Sequence, residues 1–218
     1  GRLYERMADR VRDLGGEILL STSVVSLEPD GHGIGSVGIE KEGTSRSIPC
    51  SALVSSIPLP GLVALMGSKA PFVARFSASK LNYISLIAVF LEIDLESAMD
   101  SHWIYLLDPG FRFNRVSEQK NLSTYTMEEG KTVLCLEWTC RIGDDSWQLT
   151  DDEIEAVARE DLSKVSFLKG VVPKITDCLV KRVPSVYEVY YDGFEGHADV
   201  ALSYLREFDN VVSIGRRG

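Results

Sequence analysis

Residues 82–94, Asn-Tyr-Ile-Ser-Leu-Ile-Ala-Val-Phe-Leu-Glu-Ile-Asp, hold the longest apolar run of the chain, Ser85 to Leu91. The run is far too short to span a membrane and is rich in large and β-branched side chains, so it belongs in a sheet. Downstream, 103–107, 111–116 and 132–139 read as further strands, and the group predicts an antiparallel sheet. The clearest helix follows over 150–168. Thr150 and Glu153 form an S/T-x-x-E capping box, and Ile154, Val157, Leu162, Val165 and Leu168 share one apolar face. Strands at 175–183 and 187–191 come next. A helix with Ala198, Ala201, Leu202, Leu205 and Phe208 inward then leads to a last strand at 211–214.

Upstream of this sheet, Leu3, Met7, Val11 and Leu14 recur at helical spacing, and Gly15-Gly16 ends that helix. Strands are predicted at 17–27 and 34–41 around Pro29-Asp30-Gly31, with Glu42-Gly43 turning back toward Ile48. Ala52 to Ile57 is another strand, stopped by Pro58-Leu-Pro60-Gly61. Two short helical patterns fill the stretch up to Leu81.

The 218 residues are 44% hydrophobic and 25% charged, an ordinary globular composition that excludes disorder, collagen and coiled coil. Lys+Arg 23 against Asp+Glu 32 gives a net charge of −9, which argues against a nucleic-acid groove or an anionic membrane surface except as a local contact. Cys50, Cys135, Cys140 and Cys178 show no C-x-x-C and no histidine at ligand spacing, so they read as free thiols of a reducing compartment. No secretory signal or membrane-length apolar stretch occurs, and the expected setting is cytoplasmic. The chain opens inside a helical pattern at Arg2 and stops at Gly215-Arg216-Arg217-Gly218, the pattern of an excised piece.

Gly31-His32-Gly33-Ile34-Gly35 is glycine-rich, but a strand rather than a helix follows it, so it reads as a hairpin loop and not a dinucleotide loop. His32, His102 and His197 lie in unrelated contexts and read as structural or surface residues, and no metal site is expected. Trp103, Tyr105, Phe111, Phe113, Tyr125, Trp138, Tyr187, Tyr190 and Tyr191 sit on or beside the predicted strands, with Arg112, Arg115, Arg141 and Arg182 among them. Such a sheet has the materials for the floor of a small-molecule pocket, with arginine forks for an anionic group. The competing reading is ordinary core aromatics and edge arginines.

Taken together, the helix ending in Gly15-Gly16-Glu17-Ile18, the Ser23-Val24-Val25 strand, Ala52-Leu-Val-Ser-Ser-Ile-Pro58, the 103–121 stretch, the 133–138 strand and Val212-Ser-Ile-Gly-Arg216 resemble a known family. It is the flavin-dependent amine oxidase, protoporphyrinogen oxidase and UDP-galactopyranose mutase superfamily. The resemblance implies an α+β fold: a mainly antiparallel substrate-domain sheet flanked by helices, plus a partial FAD-domain β-unit. Residues 1–61 would belong to the FAD-binding domain, 62–209 to the substrate-binding sheet, and 210–218 to a return strand.

By the same resemblance, Val24 matches the valine whose backbone meets the adenine of FAD. Ser55, Ser56 and Pro58 match the strand end near the dinucleotide, and Gly215 and Arg216 match the pair beside the flavin. Arg115, Tyr125, Tyr187 and Tyr190 would line the substrate pocket. The family's amino-terminal unit, a strand leading through G-x-G-x-x-G into a helix, is absent, and Glu188 stands where the related pattern has proline. The implied activity is that of an FAD-dependent oxidoreductase, with a flavin-dependent sugar-nucleotide isomerase and a non-catalytic binding domain as alternatives. FAD would be held by the full-length parent and missing from this piece, which would be inactive alone. The substrate would be a small molecule, with an anionic or sugar-nucleotide compound as one class.

Overall fold

The computed structural model describes residues 2–165 and 174–215. In chain order, α1 (Arg2–Asp13) is followed by β1 (Ser23–Asp30), β2 (Gly33–Lys41), β3 (Thr44–Pro49) and β4 (Leu53–Ser55). Next are α2 (Leu59–Ala64), α3 (Phe72–Lys80), β5 (Tyr83–Ile93), β6 (Trp103–Tyr105), β7 (Arg115–Glu118) and α4 (Gln119–Leu122). The chain continues with β8 (Thr132–Cys140), α5 (Asp145–Gln148), α6 (Asp151–Ser163), β9 (Ile175–Glu188), α7 (Phe194–Leu205) and β10 (Val211–Ser213). The expected helical position Leu168 and the expected site residue Arg216 lie outside the described residues. The fold class is α+β, as expected.

Two compact units form: residues up to Leu81 together with Tyr191 onward, and Asn82–Tyr190. The helices α2, α3 and α7 belong to the first unit.

In the first unit β1, β2 and β3 make an antiparallel sheet, and β10 pairs in parallel with β4. The β2–β3 turn needs two left-handed residues and has them in Glu42 (φ 50°) and Gly43 (φ 76°). Asn210 joins the two sheets. Its Oδ1 accepts from the Ile34 N–H at 2.8 Å, while its Nδ2 donates to the carbonyls of Ile34 (2.9 Å) and Ser51 (3.2 Å). The strand expected over 17–27 begins only at Ser23, because Ser21 takes a left-handed conformation (φ 54°) that breaks an extended run. The apolar residues Leu3, Met7 and Val11 of α1, and Leu14 just after it, are exposed.

The second unit is a five-stranded antiparallel sheet in the order β6-β7-β8-β5-β9. The β5 run is hydrogen-bonded on both edges, with Val89 opposite Leu136 of β8 and Val180 of β9. Side chains alternate faces along a strand. Ile87, Val89, Leu91 and Ile93 therefore pack on one side with Leu134, Leu136 and Val116, beneath Ile154, Ala158 and Leu162 of α6. The predicted capping box is present: Thr150 Oγ1 accepts from the Glu153 N–H, and the Glu153 carboxylate accepts from the Thr150 N–H. The two strands expected at 175–183 and 187–191 are one strand with a register shift against β5, where Ser185 has φ 56°.

The strand expected over 111–116 is mostly a loop, for a reason the periodicity does not carry. Asp161 of α6 is buried, and its carboxylate accepts from the Arg112 N–H at 2.6 Å and the Phe113 N–H at 3.1 Å. Two backbone donors that a neighbouring strand would have taken are held by a side chain 48 or 49 residues away. A second buried carboxylate, Glu118 at the end of β7, accepts from the N–H groups of Ala98 (3.0 Å) and Met99 (2.7 Å) and from Asn121 Nδ2 (3.2 Å).

Replacing Glu118 by alanine leaves the Ala98 and Met99 donors buried without a partner, and is expected to lower stability by about 3 kcal/mol. The midpoint of urea unfolding followed by circular dichroism checks this. A second expectation concerns acid. Hydrogen bonds from Lys131 and Thr176 hold the Glu92 carboxyl below its usual range, and those from Lys120 and the Gly130 N–H do the same for Glu96. A carboxyl lowered in the folded state stabilises the fold above its unfolded pKa, about 4.3, and that contribution is lost as pH falls through the folded value. Glu92→Gln and Glu96→Gln should flatten the acid limb of a stability–pH profile and leave its neutral part with a smaller slope change.

Candidate functional site

The first candidate site is the carboxyl end of the parallel pair. Leu53, Val54 and Ser55 face Val211, Val212 and Ser213 in register, and the Ile214 N–H donates to the Ser55 carbonyl at 2.8 Å. Ser55 is buried, and its Oγ accepts from the Ile57 N–H at 3.2 Å, fixing the turn out of the strand. Gly215 has φ 120°, which only glycine adopts without strain, and nothing stands within 4 Å of where a Cβ would be. Ser55 and Gly215 thus come together at one strand end, and Ser56 and Pro58 occupy the connection into α2. Val24 lies in β1, on the other sheet of this unit, opposite Ile39 of β2.

The sequence also holds a decoy. Gly33-Ile-Gly35-Ser-Val-Gly38 has G-x-G-x-x-G spacing, yet it runs along β2, paired to β1 on one edge and β3 on the other. Its glycines serve packing: a Cβ on Gly33 would lie 2.9 Å from Asn210 Oδ1, inside the clamp between the two sheets.

The second candidate site is the face of the five-stranded sheet turned away from α6. Directly paired residues share a face, which lays out two cross-strand rows. One row runs Tyr105, Arg115, Glu137, Ala88, Lys181, and the next runs Trp103, Ser117, Cys135, Phe90, Leu179. Trp103 and Tyr105 are 52% and 59% exposed, whereas Ala88, Ser117 and Cys135 between the larger groups are buried. Arg115 makes a short ion pair with Glu137, the side chains being 30% and 14% exposed. The hydrogen bond to Glu137 holds the Arg115 guanidinium above its usual pKa, against the opposing effect of burial. Its buried Nε has no hydrogen-bond partner.

Of the four substrate-lining residues expected from sequence, Arg115 lies on this face, between Tyr105 and Glu137, and Tyr187 joins it through its pairing with Ile84. Tyr125 lies on a short 3₁₀ turn at 98% exposure, and Tyr190 follows the end of β9 and is also exposed. Glu137 was not anticipated. The alternation Cys135-Leu136-Glu137 puts it on the non-core face, but its pairing with Arg115 depends on register, which a single strand does not encode. A separate polar cleft of about 830 Å³ opens on the α6 side of the sheet, between Arg112, Trp138, Asp145 and Val157. Among the described residues, no group of three or more His, Cys, Asp or Glu side chains is placed to hold a metal ion, and no helix is long and apolar enough to cross a membrane.

The sequence matches the family of flavin-containing amine oxidoreductases over residues 1–193. The chain belongs to that family. No curated protein matches it. Among solved structures, the chain is similar in fold to reduced UDP-galactopyranose mutase, with a TM-score of 0.76, 16% identity, and coverage of 98% of this chain and 45% of that one. A candidate protoporphyrinogen oxidase from Exiguobacterium sp. 255-15 gives a TM-score of 0.70 at 16% identity, covering 98% and 46%. An oxidoreductase from Methanosarcina mazei gives 0.66 at 14% identity, covering 97% and 47%. The chain therefore spans about half the length of these structures.

Burial pushes the thiols of Cys135 and Cys178 up to about 12. The thiolate is the reactive form, so neither group is nucleophilic near neutrality. Iodoacetamide at pH 8 is expected to leave both unmodified in the folded protein and to alkylate both in urea, as peptide mass spectrometry would show.

Proposed function

We propose that the full-length protein is an FAD-dependent oxidoreductase, in which these residues supply a substrate-binding sheet and part of the FAD cradle. The observation that carries the reading is the parallel pairing of β4 with β10, which brings Ser55 and Gly215 to the same carboxyl end. Ligands of open α/β sheets bind outside the carboxyl ends of parallel strands, and glycine there lets a cofactor approach the backbone. Membership of a flavin-dependent family supplies the identity of that cofactor. The groups assigned to FAD are the Val24 backbone, Ser55, Ser56, Pro58, Gly215 and Arg216. The bound flavin would supply the hydride chemistry, and the protein would bind, orient and desolvate the substrate. Arg115 and Tyr187 are assigned to the substrate wall, with Tyr125 and Tyr190 as outlying members.

The isomerase alternative calls for an arginine free to hold a nucleotide diphosphate. Arg115 is engaged by Glu137, so in that reading the diphosphate falls to Arg216, which the resemblance matches to it.

The purified full-length protein is expected to be yellow and to release FAD on denaturation. Gly215→Val, which forces a β-branched residue into a left-handed conformation at the cradle, should cut flavin occupancy at least tenfold while far-ultraviolet circular dichroism stays unchanged. A colourless full-length protein that fails to take up added FAD overturns the assignment.

A further inference from the structure

We infer that the full-length protein pairs with a second copy of itself through the outer edge of β6, the two strands running antiparallel across a two-fold axis at Tyr105. This contact is independent of the cofactor reading.

β6 is an edge strand of the five-stranded sheet. The direction of its hydrogen bonds follows from its two ends. The Glu118 N–H donates to the His102 carbonyl, and the Leu106 N–H donates to the Asn114 carbonyl. In an antiparallel ladder alternate residues turn both N–H and C=O to the same neighbour. His102, Ile104 and Leu106 therefore direct theirs to β7, and Trp103, Tyr105 and Leu107 turn theirs to the open side. The side chains of these three are exposed as well, Leu107 at 89%, whereas Ile104 and Leu106 pack against the core.

The two edges of the sheet differ in protection. β9, at the other edge, carries exposed Asp177, Lys181 and Pro184 and has a left-handed residue in Ser185 (φ 56°). Charges, proline and irregular backbone keep an edge from pairing with another chain. β6 has none of them. Residues 101–107, Ser-His-Trp-Ile-Tyr-Leu-Leu, contain no acidic residue, lysine, arginine, proline or glycine. An aromatic strand of this composition with open backbone groups is a template for strand addition.

Register selects a copy of the same strand as the occupant. With Tyr105 opposite Tyr105 of the second copy, Trp103 meets Leu107 of the second copy on either side of the axis. His102 meets Asp108 of the second copy, which sets an imidazole against a carboxylate. The pairs at 103, 105 and 107 exchange about six backbone hydrogen bonds. Moving the axis to Ile104 sets Asp100 against Asp108 of the second copy, and like charges directly opposite are destabilising. Moving it to Leu106 sets Trp103 against Pro109 of the second copy, which has no N–H to donate. Beyond His102 the edge is closed, because Asn121 Nδ2 donates to the Ser101 carbonyl at 3.0 Å. The open stretch is thus complementary to itself in one antiparallel register.

Sedimentation velocity of the full-length protein tests this. A contact of this length buries less than the roughly 800 Å² per partner of a standard interface, so a dimer dissociating at about 10 µM is expected, and samples run to about 200 µM. Tyr105→Lys places like charges against each other on the axis and should weaken the dimer at least tenfold, and so should Tyr105→Glu. Mixing the two variants should restore dimers, because the axis puts the substituted positions face to face. Leu107→Lys, at the most exposed of the three positions, should also weaken the dimer at least tenfold, and it decides the question where circular dichroism shows the Tyr105 variants unfolded. A protein that stays monomeric at the highest concentration overturns the inference. So does a dimer that Leu107→Lys or a folded Tyr105→Lys leaves intact, and so does a mixture of folded Tyr105→Lys and Tyr105→Glu that remains monomeric.

Discussion

Everything in the second unit hangs on β5 being paired along both edges and sealed on one face only. Two-sided pairing satisfies the backbone of the longest apolar run in the chain, and α6 covers the face that holds Ile87, Val89, Leu91 and Ile93. A strand saturated on both edges has a fixed register, and a one-residue slip would carry the whole apolar set to the opposite side. The β7–β8 register then brings Arg115 against Glu137, and the β6–β7 register sets Trp103 and Tyr105 on the side away from the helix. The chemistry proposed for the second face is in this sense a by-product of how the core is secured.

Much of this was legible beforehand, and what was not has identifiable physical causes. Local signals gave the capping box at Thr150 and Glu153, the hairpin turn at Glu42-Gly43 and the strand character of residues 82–94, because each is set by residues within a few positions of one another. Failures occur where a distant side chain captures the backbone. Asp161 takes the donors of Arg112 and Phe113 and turns an expected strand into a loop, and Asn210 ties the first hairpin to the last strand through contacts 176 residues apart. The glycines of β2 illustrate the converse: a spacing that resembles a nucleotide loop is explained by close packing of Asn210 and the neighbouring strands.

The candidate site shows the same division. Arg115 is a candidate from its residue type and neighbourhood, but its electrostatic state is not legible there, since Glu137 reaches it only through the β7–β8 register. An arginine read from sequence as a hook for anions is, with that partner in place, one half of an ion pair.

The sheet unit is inserted into the other unit's chain, and its two ends lie side by side. Tyr83 pairs with Glu188, and the Val189 N–H donates to the Asn82 carbonyl at 2.9 Å. To the first unit, the 109 residues from Asn82 to Tyr190 therefore behave, once folded, as a short closed loop, and closure entropy depends on the distance between ends rather than on the residues in between. The three-residue parallel pair of β4 with β10 joins segments far apart in sequence, and it would be a poor bargain if that whole span had to be ordered to close it. With the insert folded, the segments carrying those strands are brought close together along the chain.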